Sequence, residues 1–333
     1  MKLKLFDYIV NSPKRLAMPI GINFGISLLN TTALEIVTSA EAQVRAMLAI
    51  HEYFNTTFLL TAMDLSVEAE CFGSQIKYSE SEIPTVVGHI VSNRNEIEKL
   101  RIPQVGKKRT QMYLNAVSEV MSLKIDQPIL GGIIGPFSLA GRLYGVGKML
   151  ELTISDPDTA KLLLEKVSEF ILDYAQAYKA TGISGLIMAE PVAGLLSPRS
   201  MLMFSSSYIK RIIKIVESND FTIIYHNCGA KLVHLKPIFE TGVSICHFGA
   251  PMDILTALIA SKGKKIISGN LDPASVFLNN DNHVVEQKTL DLLNLSKGYK
   301  NFIISSGCDL PINTPLGNVE MFFKTVEVNP EPI

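Results

Sequence analysis

Thr222-Ile223-Ile224-Tyr225 runs straight into His226-Asn227-Cys228-Gly229. The first four residues form an unbroken apolar and β-branched run, the mark of a short strand buried on both faces. Seven further runs of this kind lie along the chain: Leu16 to Ile20, Thr57 to Ala62, Ile129 to Ile134, Gly185 to Met188, Ser244 to Phe248, Lys265 to Ser268 and Phe302 to Ser305. Most are separated by segments with helical period, and Thr159 to Tyr178 is the clearest. Its apolar residues Leu162, Leu163, Val167, Phe170, Ile171 and Tyr174 share one helix face. Asp156-Pro157, Ser197-Pro198 and Asp272-Pro273 each set a capping side chain before a proline suited to a first helical turn. Continuous apolar strands alternating with helices imply a parallel sheet covered on both faces. Eight of them imply an α/β fold closed as a (β/α)₈ TIM barrel.

The 333 residues fit one such barrel, and no linker or internal repeat divides them. A single domain over 1–333 is expected. The stretch from Glu70 to Lys108, with Pro84 and Pro103, is longer than a usual barrel loop. It reads as an insertion after the second strand, lying over the active face. No Gly-x-Gly-x-x-Gly follows the first strand, which argues against a dinucleotide fold.

Hydrophobic residues make up 47% and charged residues 19%, the balance of an ordinary globular core. With 31 basic and 32 acidic residues the net charge is -1, so no nucleic-acid footprint is expected. Lys107-Lys108-Arg109 and Lys262 to Lys265 read as solvated faces. The first residues, Met1 to Asp7, do not form a signal peptide. The most apolar stretch, Pro128 to Leu139, is broken by Gly131, Gly132, Gly135 and Pro136 and is too short for a bilayer. A cytoplasmic protein without a membrane partner is expected. Four cysteines in this length make no disulfide framework and are better weighed as thiols or ligands.

Barrel chemistry sits at the strand ends and the loops after them. Asp64, Glu68 and Glu70 follow the second strand, Gly135-Pro136-Phe137-Ser138 the third, and Glu190 the fourth. His226 and Cys228 follow the fifth, Asn270 and Asp272 the seventh, and Gly307-Cys308-Asp309 the eighth. His226 and Cys228 are two apart and project to one side, so both reach one metal ion. Barrel closure brings Cys308 to the same mouth. One His and two Cys leave a fourth position open, the layout of a catalytic zinc site. The plainer alternative is a buried cysteine beside a hydrogen-bonded histidine. Asp64 and Glu190 serve either as acids, bases or ligands, or as loop caps. Asn270 and Asp272 either approach a ligand or turn and cap the chain. Glu68 and Glu70 share a side only if extended. Cys71 and Cys246 read as structural. His234, His247 and His283 read as surface or packing residues.

Several of these segments together resemble the uroporphyrinogen decarboxylase superfamily and its cobalamin-dependent methyltransferases, of the methylcobalamin:coenzyme M type. They are Met63-Asp64-Leu65-Ser66-Val67-Glu68-Ala69-Glu70, Gly135-Pro136-Phe137-Ser138, Leu196-Ser197-Pro198, His226-Asn227-Cys228-Gly229, Gly269-Asn270-Leu271-Asp272-Pro273 and Ser306-Gly307-Cys308-Asp309-Leu310-Pro311. The glycine motifs resemble patterns of the whole superfamily. His-x-Cys with a distant Cys, and the Glu-Ala-Glu run, resemble the methyltransferase branch.

The decarboxylase branch carries an arginine pair near the N-terminus. Here the matching region reads Arg15-Leu16-Ala17-Met18-Pro19, and the pair is missing. The resemblance implies a methyltransferase with zinc on His226, Cys228 and Cys308. A methyl group would pass from methylcobalamin on a separate corrinoid protein to a small thiol. Gly135, Asn270 and Asp272 are then expected as cofactor-binding positions. Glu190 is expected to fill the open metal position or to accept the thiol proton, and Asp64 to orient the acceptor or the corrinoid edge. The rival expectations are uroporphyrinogen decarboxylase, which needs no metal, and a non-catalytic corrinoid-binding barrel.

Overall fold

In the computed structural model, which describes residues 4–279 and 281–330, eight parallel strands follow one another around a single sheet. They are β1 (Leu16–Ala17), β2 (Leu59–Leu60), β3 (Ile129–Ile134), β4 (Gly185–Ala189), β5 (Thr222–Asn227), β6 (Ile245–Phe248), β7 (Ile266–Leu271) and β8 (Phe302–Ser306). From β2 to β8 each strand pairs with the next in sequence, and β8 pairs back onto β1. Sequential parallel strands with helical crossovers are the barrel topology read from the sequence. Among the described residues no ladder joins β1 to β2. There the two edges meet through side chains: Ala17, Met18, Phe58 and Leu59 line one small cavity with Met47 and Ile50.

The interior shows that the sheet curls into a barrel. Leu16, Phe58, Leu130, Ile187, Ile224, Ile245, Ile266 and Ile303 form one buried cluster, with one residue in or next to each strand. Leu5 and Ile9 of the first helix (Leu5–Val10) join that cluster, though the sequence reading found no element there. Side chains two apart on a strand face the same side. Ala189, His226, His247, Ser268 and Ser305 therefore form a second inward tier, each two places beyond an isoleucine of the first. Ladder register agrees: Ala189 stands beside His226, His226 beside His247, and His247 beside Ser268. An aliphatic floor thus supports a small, polar tier.

Helices cover the outside. The longest, Pro157–Ala180, buries Leu163, Val167, Phe170, Ile171 and Tyr174 as its spacing predicts, leaves Leu162 only half-buried, and is capped by Asp156, which accepts from the Thr159 N–H. Ser197 and Asp272 cap their helices in the same way. The insertion after β2 has more order than an irregular loop. It holds a short helix (Val67–Cys71), an antiparallel hairpin of Gln75–Lys77 with Thr85–Val87, and a helix (Arg94–Lys99). Backbone bonds from Ile90 and Val91 to Leu143 O pin it down, and Ile97 is fully buried beneath it. No helix among the described residues is long and apolar enough to cross a membrane.

Ile224→Ala opens a cavity in the inner cluster and is expected to cost about 2–5 kcal/mol. Ile154→Ala, at a site 83% exposed, is expected to stay within about 0.5 kcal/mol. Urea unfolding midpoints check this, and equal midpoints would mean the inner tier is not a packed core.

Candidate metal centre at the barrel mouth

His226 is the fifth residue of β5, and Cys228 follows in the turn beyond it. Cys308 stands two residues past β8. The structure brings the three together: one ligand atom from each lies within 4.8 Å of the others. Cys308 Sγ is 3.7 Å from His226 Nε2. A tetrahedral zinc with ordinary Zn–S and Zn–N lengths sets neighbouring ligand atoms roughly 3.6–3.8 Å apart. Donor types and spacing both fit such an ion.

Glycine makes this convergence possible. A Cβ on Gly249, just past β6, would lie 2.1 Å from Cys228 O. A Cβ on Gly307 would lie 2.9 Å from Ala250 N and 3.1 Å from the Gly249 Cα. The loops bearing Cys228 and Cys308 thus close on each other through bare backbone at Gly249 and Gly307. Sequence reasoning gave Gly307 no such role and overlooked Gly249.

The electrostatics suit ligation. Hydrogen bonding from Cys308, with help from His226, holds the Cys228 thiol well below its ordinary range, against the cost of burial. Cys308, facing that thiolate, is raised. The two sulfurs push each other's proton affinity in opposite directions, and a cation would displace the proton between them. Behind the site, His226 Nδ1 lies 2.8 Å from His247 Nδ1, and His247 Nε2 lies 2.8 Å from Ser305 Oγ. Burial and the neighbouring His226 hold His247 well below its ordinary value, so the ring is neutral. His247 was expected as a surface or packing residue, and it is fully buried against His226. The register of β5 on β6 puts it there, which no single-strand reading supplies.

Glu190 was expected beside the metal, and its carboxylate goes elsewhere. Oε1 accepts from Phe137 N at 2.8 Å and Ser205 Oγ at 2.9 Å, and Oε2 accepts from Ser138 N at 2.9 Å. It therefore caps the helix Pro136–Tyr144, whose own N-cap residue, Gly135, has no side chain to do so. Gly135 makes room for it, because a Cβ there would lie 2.4 Å from Glu190 Oε2. The Glu190 backbone grips β5: its N–H donates to His226 O, and its carbonyl accepts from Asn227 Nδ2, both at 2.8 Å. Asn270 Nδ2 donates to Gly249 O and Met252 O, holding the loop after β6. Asp272 Oδ1 accepts from Ala274 N, Ser275 N and Ser275 Oγ as a cap.

Asp64 sits in a buried ionic network. Oδ1 accepts from Ser66 N and Oγ, and Oδ2 pairs with Arg109 Nη1. Arg109 also pairs with Glu70 at 2.8 Å, donates to Ser66 Oγ and lies over the Tyr78 ring. The basic run expected as a solvated face is thus split. Lys107 and Lys108 are exposed, but Arg109 is buried. Glu68 turns away from this network and accepts from Ile134 N, with Oε2 buried and unpartnered. Burial pushes its carboxyl up to about 7, opposed by that N–H. Cys246 is a core thiol that burial pushes up to about 12, and Cys71 lies near Lys107 O and Thr110. His234 is buried on Leu196 O, and His283 is exposed beside Glu286.

A raised carboxyl lets the folded state keep a proton that the unfolded chain gives up. Glu68 should therefore weaken the fold as pH rises from about 4.5 to about 7, by up to roughly 3 kcal/mol. Glu68→Gln, which mimics the protonated form, should remove that loss, and urea melts at pH 5 and pH 8 measure it. An equal pH slope in both proteins would show that Glu68 is ionised in the fold.

The sequence and the fold recur in a known family. The chain matches Uroporphyrinogen decarboxylase (URO-D) over residues 8–328. It is similar to the methylcobamide:CoM methyltransferase MtbA of Methanosarcina acetivorans, with 28% identity over 288 residues, 84% of this chain and 83% of that protein. It is also similar to the uroporphyrinogen decarboxylase of Vibrio vulnificus, with 23% identity over 282 residues, 81% of this chain and 78% of that one. Among solved structures, a methyltransferase from Methanosarcina mazei shares the fold at a TM-score of 0.86 and 22% identity, covering 98% of this chain and 97% of that one. The chain belongs to the uroporphyrinogen decarboxylase (URO-D) family.

Proposed function

We propose that this chain moves a methyl group from methylcobalamin, carried on a separate corrinoid protein, to a small thiol, using zinc at His226, Cys228 and Cys308. One observation carries the proposal: an imidazole nitrogen and two sulfurs converge within 4.8 Å at the mouth. The similarity to proteins named methylcobamide:CoM methyltransferase supports it. Zinc held there would stabilise the thiolate of an acceptor, so that its proton passes to solvent near neutral pH.

The chain's own residues do the rest. His226 offers Nε2, and hydrogen bonding from Cys308 and His226 favours the thiolate form of Cys228. Two anionic sulfurs offset the metal charge, which leaves an incoming sulfur nucleophilic. Three protein ligands leave the fourth position for that sulfur. Glu190 works through the scaffold, tying the end of β5 to the helix after β3. Asp64, with its side chain fully buried against Ser66 and Arg109, would help orient the acceptor or the corrinoid through Arg109 and not by direct contact.

Decarboxylation of a porphyrinogen fits less well. In the region where decarboxylases carry an arginine pair, Arg15 donates to the carbonyls of Tyr299, Phe302 and Ser296 and lies over the Phe302 ring. That guanidinium is committed to the scaffold, so substrate carboxylates lack their charge-assisted partner.

The purified chain should carry about one zinc ion, and Cys228→Ala and Cys308→Ala should each lose it while remaining folded. Metal analysis beside thermal melts tests this. Full zinc in both variants would end the assignment. The same protein should demethylate methylcobalamin with at least one member of a thiol panel. It should form no coproporphyrinogen from uroporphyrinogen, and coproporphyrinogen produced at enzymatic rates would replace this function with the decarboxylase one.

A further inference from the structure

A ring nitrogen that takes a metal must carry no hydrogen, so His226 is useful only in one of its two neutral tautomers. A chain of four buried groups decides which. The Met18 carbonyl can only accept, and the Ser305 hydroxyl gives it its single hydrogen. Toward His247, Ser305 Oγ can then only accept, so His247 Nε2 carries the hydrogen. His247 is fully buried, with no carboxylate on either ring nitrogen, and its Nδ1 is therefore bare. Facing it at 2.8 Å, His226 Nδ1 has to be the donor. The one ring hydrogen of His226 is thus spent away from the cysteines. Nε2, 3.7 Å from Cys308 Sγ, turns a lone pair toward the ligand set.

We infer that His247, backed by Ser305, is a positioning residue that locks His226 in its metal-binding tautomer and orientation. It deepens the metal assignment above and rests on it. The two imidazoles are held at the angle this needs: their planes lie 69° apart with centroids at 4.7 Å. Neighbouring register on β5 and β6 fixes their spacing. Ser305 reaches the pair from β8, the strand that also leads to Cys308. A histidine here does what a carboxylate or carbonyl commonly does behind a metal-bound imidazole, without adding negative charge. Two thiolates already oppose the cation, and a neutral acceptor keeps the centre from becoming more anionic.

The test uses the full chain, labelled with nitrogen-15 at histidine. In the metal-free protein at neutral pH, long-range nitrogen–proton correlation should show His226 protonated on Nδ1 and His247 on Nε2. The hydrogen of His226 on Nε2 would overturn the proposal whether or not zinc binds. The expected tautomers in a protein that takes no zinc would instead overturn the metal assignment alone. Chelator competition then measures zinc affinity in variants. His247→Leu, which removes the acceptor, should lower it about 10- to 100-fold with His226 distributed over both tautomers. In His247→Asn the amide oxygen stands close to where Nδ1 stood, and most of the affinity should return. Unchanged affinity in the Leu variant, or no recovery in a folded Asn variant, would reduce His247 to a packing residue.

Discussion

The rest of the molecule depends on the ring of aliphatic side chains inside the barrel. Ile187, Ile224, Ile245, Ile266 and Ile303 are closely packed and almost wholly buried. Branched side chains filling a closed interior leave the strands little freedom to slip, because a slip of one residue would turn every one of them outward. The next inward position on each strand is therefore fixed as well. On three of those strands it is occupied by His226, His247 and Ser305. Hydrophobic packing sets the height and direction of the polar tier, and the hydrogen bonds among its members are a consequence.

The charges at the mouth are kept apart by role. The sulfurs and imidazoles gather at the ends of β5, β6 and β8, with no carboxylate among the three ligands. Asp64, Glu70 and Arg109 form their own cluster between β2 and the insertion. Glu190 spends its charge on a helix N-terminus. Buried carboxylates are tolerable only when each has donors, and here two of them find donors that keep them away from the ligand set. The insertion contributes Tyr78 and Glu70 around Arg109, so it completes this cluster as well as covering the barrel end.

Much of this was legible in the sequence. β3 to β8 fall within one to three residues of their apolar runs, since strands buried on both faces leave an unambiguous mark. β1 is shorter than its run because the Ile20 N–H donates to the Ser306 side chain instead of a ladder carbonyl. The nearness of His226 and Cys228 was legible because residues two apart at a strand end share a side. His247 was not legible, since its meaning lies in the register between two strands. Arg109 looked like part of a surface run until the insertion folded over it. Glu190 makes capping contacts, the role that its sequence reading held open beside the metal one. A clue was present in Gly135-Pro136, a helix start without a capping side chain, whose N–H groups had to find an acceptor from another element.

The closure of the sheet also sets an order of events. Leu16 pairs with Ile303, so the first strand waits for almost the whole chain before it finds its partner. A ribosome delivers the chain from its N-terminus, and domains fold as their parts become available. His226 and Cys228 emerge some eighty residues ahead of Cys308. During synthesis they form an open half-site on an unclosed sheet. On the proposed assignment, an ion held by all three residues could be loaded only after Cys308 has emerged, late in biogenesis. A chain truncated before Phe302 would keep His226 and Cys228 while losing both Cys308 and the strand that closes the wall.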